Sequence, residues 1–152
     1  MRKFLSFVIS IVIIFAVESC KDIPENVPYK LIISCDEIVE FIDDEVYGIK
    51  SEKRELVPDD GIILELEDNC SEGDNVYNCV TNNLKSKKLH FQGTDGYISA
   101  IGNIYAGDCG EFSGWMLFIN GELAELGASD TIIQENDVIE FKYIVDYNTL
   151  FN

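Results

Sequence analysis

The residues that could do chemistry cluster between Gly96 and Met116. This run holds Tyr97, Tyr105, Phe112 and Trp115 among seven glycines and serines, with Cys109 inside it. Aromatic rings supply flat, rigid contact area, and glycines permit backbone shapes that other residues avoid. No serine or cysteine of the run is paired by motif with a histidine. The chain's single histidine, His90, follows a lysine run and suggests no triad. The chemistry on offer is holding a molecule, so Tyr97, Tyr105, Phe112 and Trp115 are the candidate ligand-binding residues and no catalytic residue is assigned. Trp115, heading an apolar strand, is also a natural core residue.

Other constellations are weaker. Asp43-Asp44-Glu45 and Asp59-Asp60 lack the alternating spacing and distal glutamate of a calcium loop. The glycines precede no helix bearing a phosphate-loop lysine. No Cys-x-x-Cys occurs, and a zinc site draws about four Cys or His ligands in close pairs, so no metal site is expected.

The elements that must position these residues read as α+β. Tyr29 to Ser34 is β-branched and compact, a first strand. Ile38, Phe41, Ile42, Val46 and Ile49 recur at steps of three and four, which predicts a helix ending near Gly48. Residues 51–55 read as polar linker. Pro58-Asp59-Asp60-Gly61 is a turn, and Ile62 to Glu67 a strand. A second helix runs from a cap at Ser71 or Asp74 to about Ser86, followed by a short strand over 89–92 and a turn over Gly93 to Gly96. Trp115 to Ile119 is a strand closed by Asn120-Gly121, a hairpin signal, onto Glu122-Leu123. Val138 to Asp146 alternates apolar and charged residues, so one face is buried and the other wet.

The N-terminal segment is of another kind. Arg2 and Lys3 precede an apolar run from Phe4 to Val17, shorter than the roughly 20 residues of a membrane span and suited to a secretion signal. Val17-Glu18-Ser19-Cys20 resembles the bacterial lipoprotein signal, in which cleavage leaves a lipid on the cysteine. Glu18 is an unusual occupant of that motif. The resemblance implies a signal peptide over 1–19, lipid attachment at Cys20, a tether over 20–28 and a folded domain over 29–152. It places the protein outside the cytoplasm, anchored to the outer face of the cell membrane.

Cleavage before Cys20 would leave 9 basic and 27 acidic residues, a net charge of −18. Such a chain is repelled by nucleic acid and anionic headgroups, which need clustered Lys and Arg. Hydrophobic residues make up 47% of the chain, too many for a disordered one.

In order along the chain, Pro58 to Leu64, Glu72-Gly73-Asp74, the Gly96 to Gly110 run, Ser113-Gly114-Trp115-Met116 with Asn120-Gly121, and Asn136 to Phe141 resemble the transcobalamin-like C-terminal domain family. That family occurs in surface proteins of Gram-positive bacteria and is similar to the domain that closes over cobalamin in transcobalamin and intrinsic factor. The match covers roughly Lys30 to Asp146. It implies a β-grasp-like mixed sheet packed on one main helix, with non-catalytic binding of a soluble ligand of the cobalamin or corrinoid type and no resident cofactor. The carriers' second, helical domain has no room in this chain. A protein-interaction module docking to a surface protein is the rival expectation.

Family members often carry cysteines at the places of Ala128 and Val145, as partners for Cys109 and Cys35. Those bridges are missing here. Cys70 with Cys79 is the easiest remaining disulfide, closing a short loop and stabilising by about 2–4 kcal/mol if unstrained.

Overall fold

The computed structural model describes residues 26–94 and 96–151. The signal peptide, Cys20 and the first part of the tether lie outside the described residues. Among those described, no helix is long and apolar enough to cross a membrane.

The architecture is α+β. A five-stranded mixed sheet has the order β2-β1-β8-β6-β7, and a three-stranded sheet has the order β3-β4-β5. Strand β1 (Asn26–Ser34) lies inside the sheet, one place from its edge. It pairs antiparallel with β2 (Ile62–Ser71) and parallel with β8 (Asp137–Ile144), and β8 in turn pairs antiparallel with β6 (Gly114–Ile119). The alternation expected of half-buried strands is clear in β1, where Val27, Tyr29, Leu31 and Ile33 are buried, and in β8, where Ile139, Phe141 and Tyr143 are buried. The core joins these to Ile38, Val76, Val80, Leu84, Ile98, Ile101, Ile104 and Trp115. Helix α2 (Val76–Ser86) contributes its buried stripe of Val76, Cys79, Val80, Asn83 and Leu84.

Strand β1 starts at Asn26, so the last tether residues are strand. Val27 pairs with Cys70 and Pro28 with Asn69. Pro28 has no N–H to give, but its carbonyl accepts from Asn136 N (2.7 Å).

The first helix is much shorter than its periodicity predicts. Helix α1 covers Asp36–Glu40 only. The Asp44 carboxylate accepts from the backbone N–H groups of Val46 (2.7 Å) and Tyr47 (2.9 Å), which turns the chain where a helix would continue. Those bonds, Tyr47's first, hold the Asp44 carboxyl below its usual range. Ile49 is still buried, as its spacing requires, but from an irregular segment and not from a helix. The residues read as linker form a 3-10 helix, Ser51–Leu56.

Helix α2 is capped by Asn75, whose side chain accepts from Asn78 N (2.9 Å). Asp74 instead accepts from Ser71 N (2.9 Å) and closes the turn before it. Gly93 lies within β3 (Phe91–Thr94), which pairs with β4 (Tyr97–Ile101), so Gly93 and Thr94 belong to a strand and not to the expected turn. Strand β4 returns through Gly102 and Asn103, both at positive φ, to the two-residue β5 (Ile104–Tyr105). The hairpin from β6 to β7 (Glu122–Leu123) turns at Asn120 (φ 54°) and Gly121 (φ 84°), the backbone shape that matches the twist of the strands.

Candidate functional site

The four candidate aromatics do not form one face. Trp115 is buried in the core. Its indole N–H donates to Ile104 O (2.9 Å), and its ring meets Tyr143 edge to face with centroids 5.2 Å apart. Register explains this, because Trp115 stands opposite Tyr143 on the β6–β8 ladder, on the face that β8 buries. Of the two roles read for Trp115, core residue and ligand contact, the core one holds, and the ring offers no exposed stacking surface.

Tyr105 is half-buried and already has partners. Lys53 Nζ lies 4.5 Å from its ring centroid and ion-pairs with the buried Asp108 (2.6 Å), whose carboxylate also accepts from Tyr105 N (2.6 Å). Phe112 is exposed and packs edge to face on Tyr147 at 5.8 Å. Tyr97 is 56% exposed at the start of β4.

Of the four, Tyr97 and Trp115 line one concavity together. It is a hollow of about 340 Å³ walled by β4, β6 and the loop after β7, where Met116, Leu117, Leu123 and Leu126 join them. Leu126 is 60% exposed, so two large apolar side chains stand unburied on one concave surface. Gly96 fixes the mouth: at φ +83° a Cβ there would lie 2.9 Å from Ser129 N, so strand β4 and the loop meet at a distance only glycine allows. Leu126 was not singled out in the sequence; its only signal was a large apolar residue in a loop of small and acidic ones.

The rest of the glycine-aromatic run is anchored inward. Tyr143 OH donates to Tyr105 O (2.8 Å), receives Asp108 N (3.2 Å) and shares a hydrogen bond with Ser113 Oγ (2.9 Å). Burial, with the neighbouring Cys109 and Asp108 adding to it, pushes the Tyr143 phenol well above its ordinary value. The loop over 105–113 is thus pinned to β8 by one hydroxyl.

A second buried network joins β1, β2 and α2. Asn83 Nδ2 donates to Tyr29 OH (2.8 Å), Asp68 Oδ2 (2.9 Å) and Cys79 O (3.1 Å), and Tyr29 OH donates to Asp68 (3.2 Å). Burial works against the Asp68 charge, but hydrogen bonds from Asn83, the Asn69 backbone and Tyr29 outweigh it and lower its pKa. Burial and then the Asp68 charge raise that of Tyr29.

The four cysteines of the described residues are buried free thiols. Burial pushes Cys35 up to about 12 and Cys109 to about 11, so neither is a ready nucleophile. Cys70 and Cys79, the expected pair, are brought together without being bonded. Their sulfurs and a carboxylate oxygen of Asp74 lie within 4.8 Å of one another. The sequence points to no metal site, because it has no Cys-x-x-Cys and a single histidine, and Asp74 reads there as a helix-start residue.

Residues 73–144 match a family profile described as Domain of unknown function (DUF4430). No curated protein matches the sequence. Among solved structures, the chain resembles haptocorrin in complex with Cbi, with a TM-score of 0.52 at 12% identity over 81% of this chain; it spans 26% of haptocorrin. A candidate metal-binding protein from Ruminococcus gnavus aligns over 78% of this chain and 96% of its own at 11% identity and a TM-score of 0.43. The profile match and the fold shared with haptocorrin bear out the chain's resemblance to the transcobalamin-like domain family.

Proposed function

We propose that this chain is a non-catalytic ligand-binding domain of the β-grasp-like, transcobalamin-like type, and that a small molecule of the corrinoid class seats one side of its flat ring system against the Tyr97–Leu126 hollow. The observation that carries the reading is that hollow: Tyr97 and Leu126 project exposed apolar surface over a rigid floor of β6. Its volume of about 340 Å³ is at the low end for a small-molecule site and suits one half of a clamp, so a lone domain binds weakly. Two larger hollows are more polar: one of about 570 Å³ sets Lys30, Glu67, Asp68, Asn69 and Asn136 beside Pro28 and Tyr29, and one of about 410 Å³ mixes Val27, Ile132 and Ile133 with Asn26, Glu72, Gln134 and Glu135. The fold shared with haptocorrin, a structure solved with Cbi, supports the choice of ligand class. In this reading the domain works at the outer face of the membrane, tethered by a lipid on Cys20.

The test is a titration of the full chain with cobalamin and cobinamide, following the fluorescence of Trp115, the only tryptophan. Saturable quenching that disappears in Tyr97→Ala and Leu126→Ser but survives in Tyr105→Ala supports the reading. Absence of saturable quenching by either corrinoid, with capture of a surface protein that Tyr97→Ala abolishes, assigns the same face to a protein partner instead. For the anchor, palmitate labelling that persists in Cys20→Ala would remove it.

A further inference from the structure

At the corner where β2 ends and α2 begins, the chain folds three metal-ligating side chains into one place. Cys70 stands on β2 opposite Val27, Asp74 on the turn and Cys79 on the first turns of α2. Both thiols are buried and Asp74 is half-buried. A hollow of about 260 Å³ opens against them, rimmed by Asn69, Ser71, Asn82 and Asn83 and by Asp68, with no lysine or arginine in its lining.

We infer that Cys70, Asp74 and Cys79 form a binding site for a soft divalent ion of the zinc or cadmium kind. The distances fit. A zinc–sulfur bond of about 2.3 Å sets the two sulfurs of a tetrahedral site about 3.8 Å apart, and the three ligand atoms here already lie within 4.8 Å. Thiolates select soft ions over calcium or magnesium, and the single carboxylate completes a three-ligand set. The polar hollow leaves the fourth position to water. Chemically, each thiol gives up its proton to solvent as the ion binds, so two protons leave for each ion taken up. The two protons released balance the two charges of the ion, and no basic side chain among the lining residues competes with it for the thiolates and the Asp74 carboxylate.

This site shares no residue with the Tyr97–Leu126 hollow and does not depend on the corrinoid reading. The experiment titrates cadmium into the full chain held reduced with a phosphine, and follows sulfur-to-cadmium charge-transfer absorption. The expected result is a band saturating at one ion per chain. It is lost in Cys70→Ser and in Cys79→Ser, and it is unchanged in Cys35→Ser, Cys109→Ser and Cys20→Ser. Asp74→Asn weakens binding at least about tenfold, the loss typical of even an outer-shell partner. Cys79→Ala, which avoids a buried hydroxyl, gives the same loss with the circular dichroism of the parent. A band that survives in Cys79→Ser, or no band at all, overturns the inference. So does a Cys70–Cys79 cross-linked peptide in the chain as isolated from its producing cell, since a disulfide leaves no thiolate to ligate.

Discussion

Trp115 and Tyr143 meet at 86° with ring centroids 5.2 Å apart, and each ring is locked by a hydrogen bond to the β5 backbone: the indole N–H to Ile104 O and the phenol to Tyr105 O. The pair couples the long β6–β8 ladder to the three-stranded sheet. It makes the tryptophan part of the floor beneath the candidate hollow and not a free stacking surface. Mutations at this position therefore report on stability before they report on binding.

Trp115→Ala should lower stability by about 3–5 kcal/mol, as expected when a buried aromatic is truncated. Tyr97→Ala should stay within about 0.5 kcal/mol, because its ring is mostly in solvent. Urea unfolding followed by far-UV circular dichroism separates the two. A small effect at Trp115 would contradict its place in the core.

Asp68 and the two buried tyrosines set opposite pH limits. The folded pKa of Asp68 lies below its unfolded value, so its contribution is present above about pH 4 and is lost as pH falls through the folded value. Asp68→Asn should flatten the acid limb of a stability–pH curve. Tyr29 and Tyr143 are raised by burial, so their contribution is whole below about pH 10 and declines as pH rises past it. Tyr29→Phe should shallow the alkaline limb, and denaturant midpoints measured across pH would show it.

Gly61 sits at φ +71°, and a Cβ there would lie 2.6 Å from the Asp36 Cα. Gly61→Ala should cost more than about 2 kcal/mol, combining left-handed strain with a backbone clash. Gly121→Ala carries the strain alone, with nothing within 4 Å, and should cost about 1–2 kcal/mol. Equal thermal midpoints for the two variants would refute the close approach of the β2 turn to α1.

Asn75→Ala removes the cap of α2 and should cost about 1 kcal/mol, whereas Ser71→Ala should cost little, because only the Ser71 backbone N–H is used there. Thermal unfolding of the two variants distinguishes them.

The sequence by itself determined the strands whose alternation is strong. Leu31 and Ile33 in β1, and Ile139, Phe141 and Tyr143 in β8, declare a buried face because burial on a pleated strand repeats every second residue. The β6–β7 hairpin was equally legible, since Asn120-Gly121 is chosen by local backbone shape. The ordered motifs also carried the family resemblance. Where local competitors exist, periodicity misled: the spacing from Ile38 to Ile49 is helical, yet the Asp44 carboxylate offers the backbone a turn that outcompetes it. Tertiary structure alone decided which aromatics face solvent. Trp115 already read as a natural core residue, but Tyr105, Phe112 and Tyr97 look alike beside their glycines, and only the register of β6 against β8 and the pinning of residues 105–113 by Tyr143 tuck Tyr105 against Lys53 and leave Tyr97 at a hollow. Tertiary structure also brought Cys70, Asp74 and Cys79 together, because proximity across a strand end, a turn and a helix is a property of the fold and not of spacing.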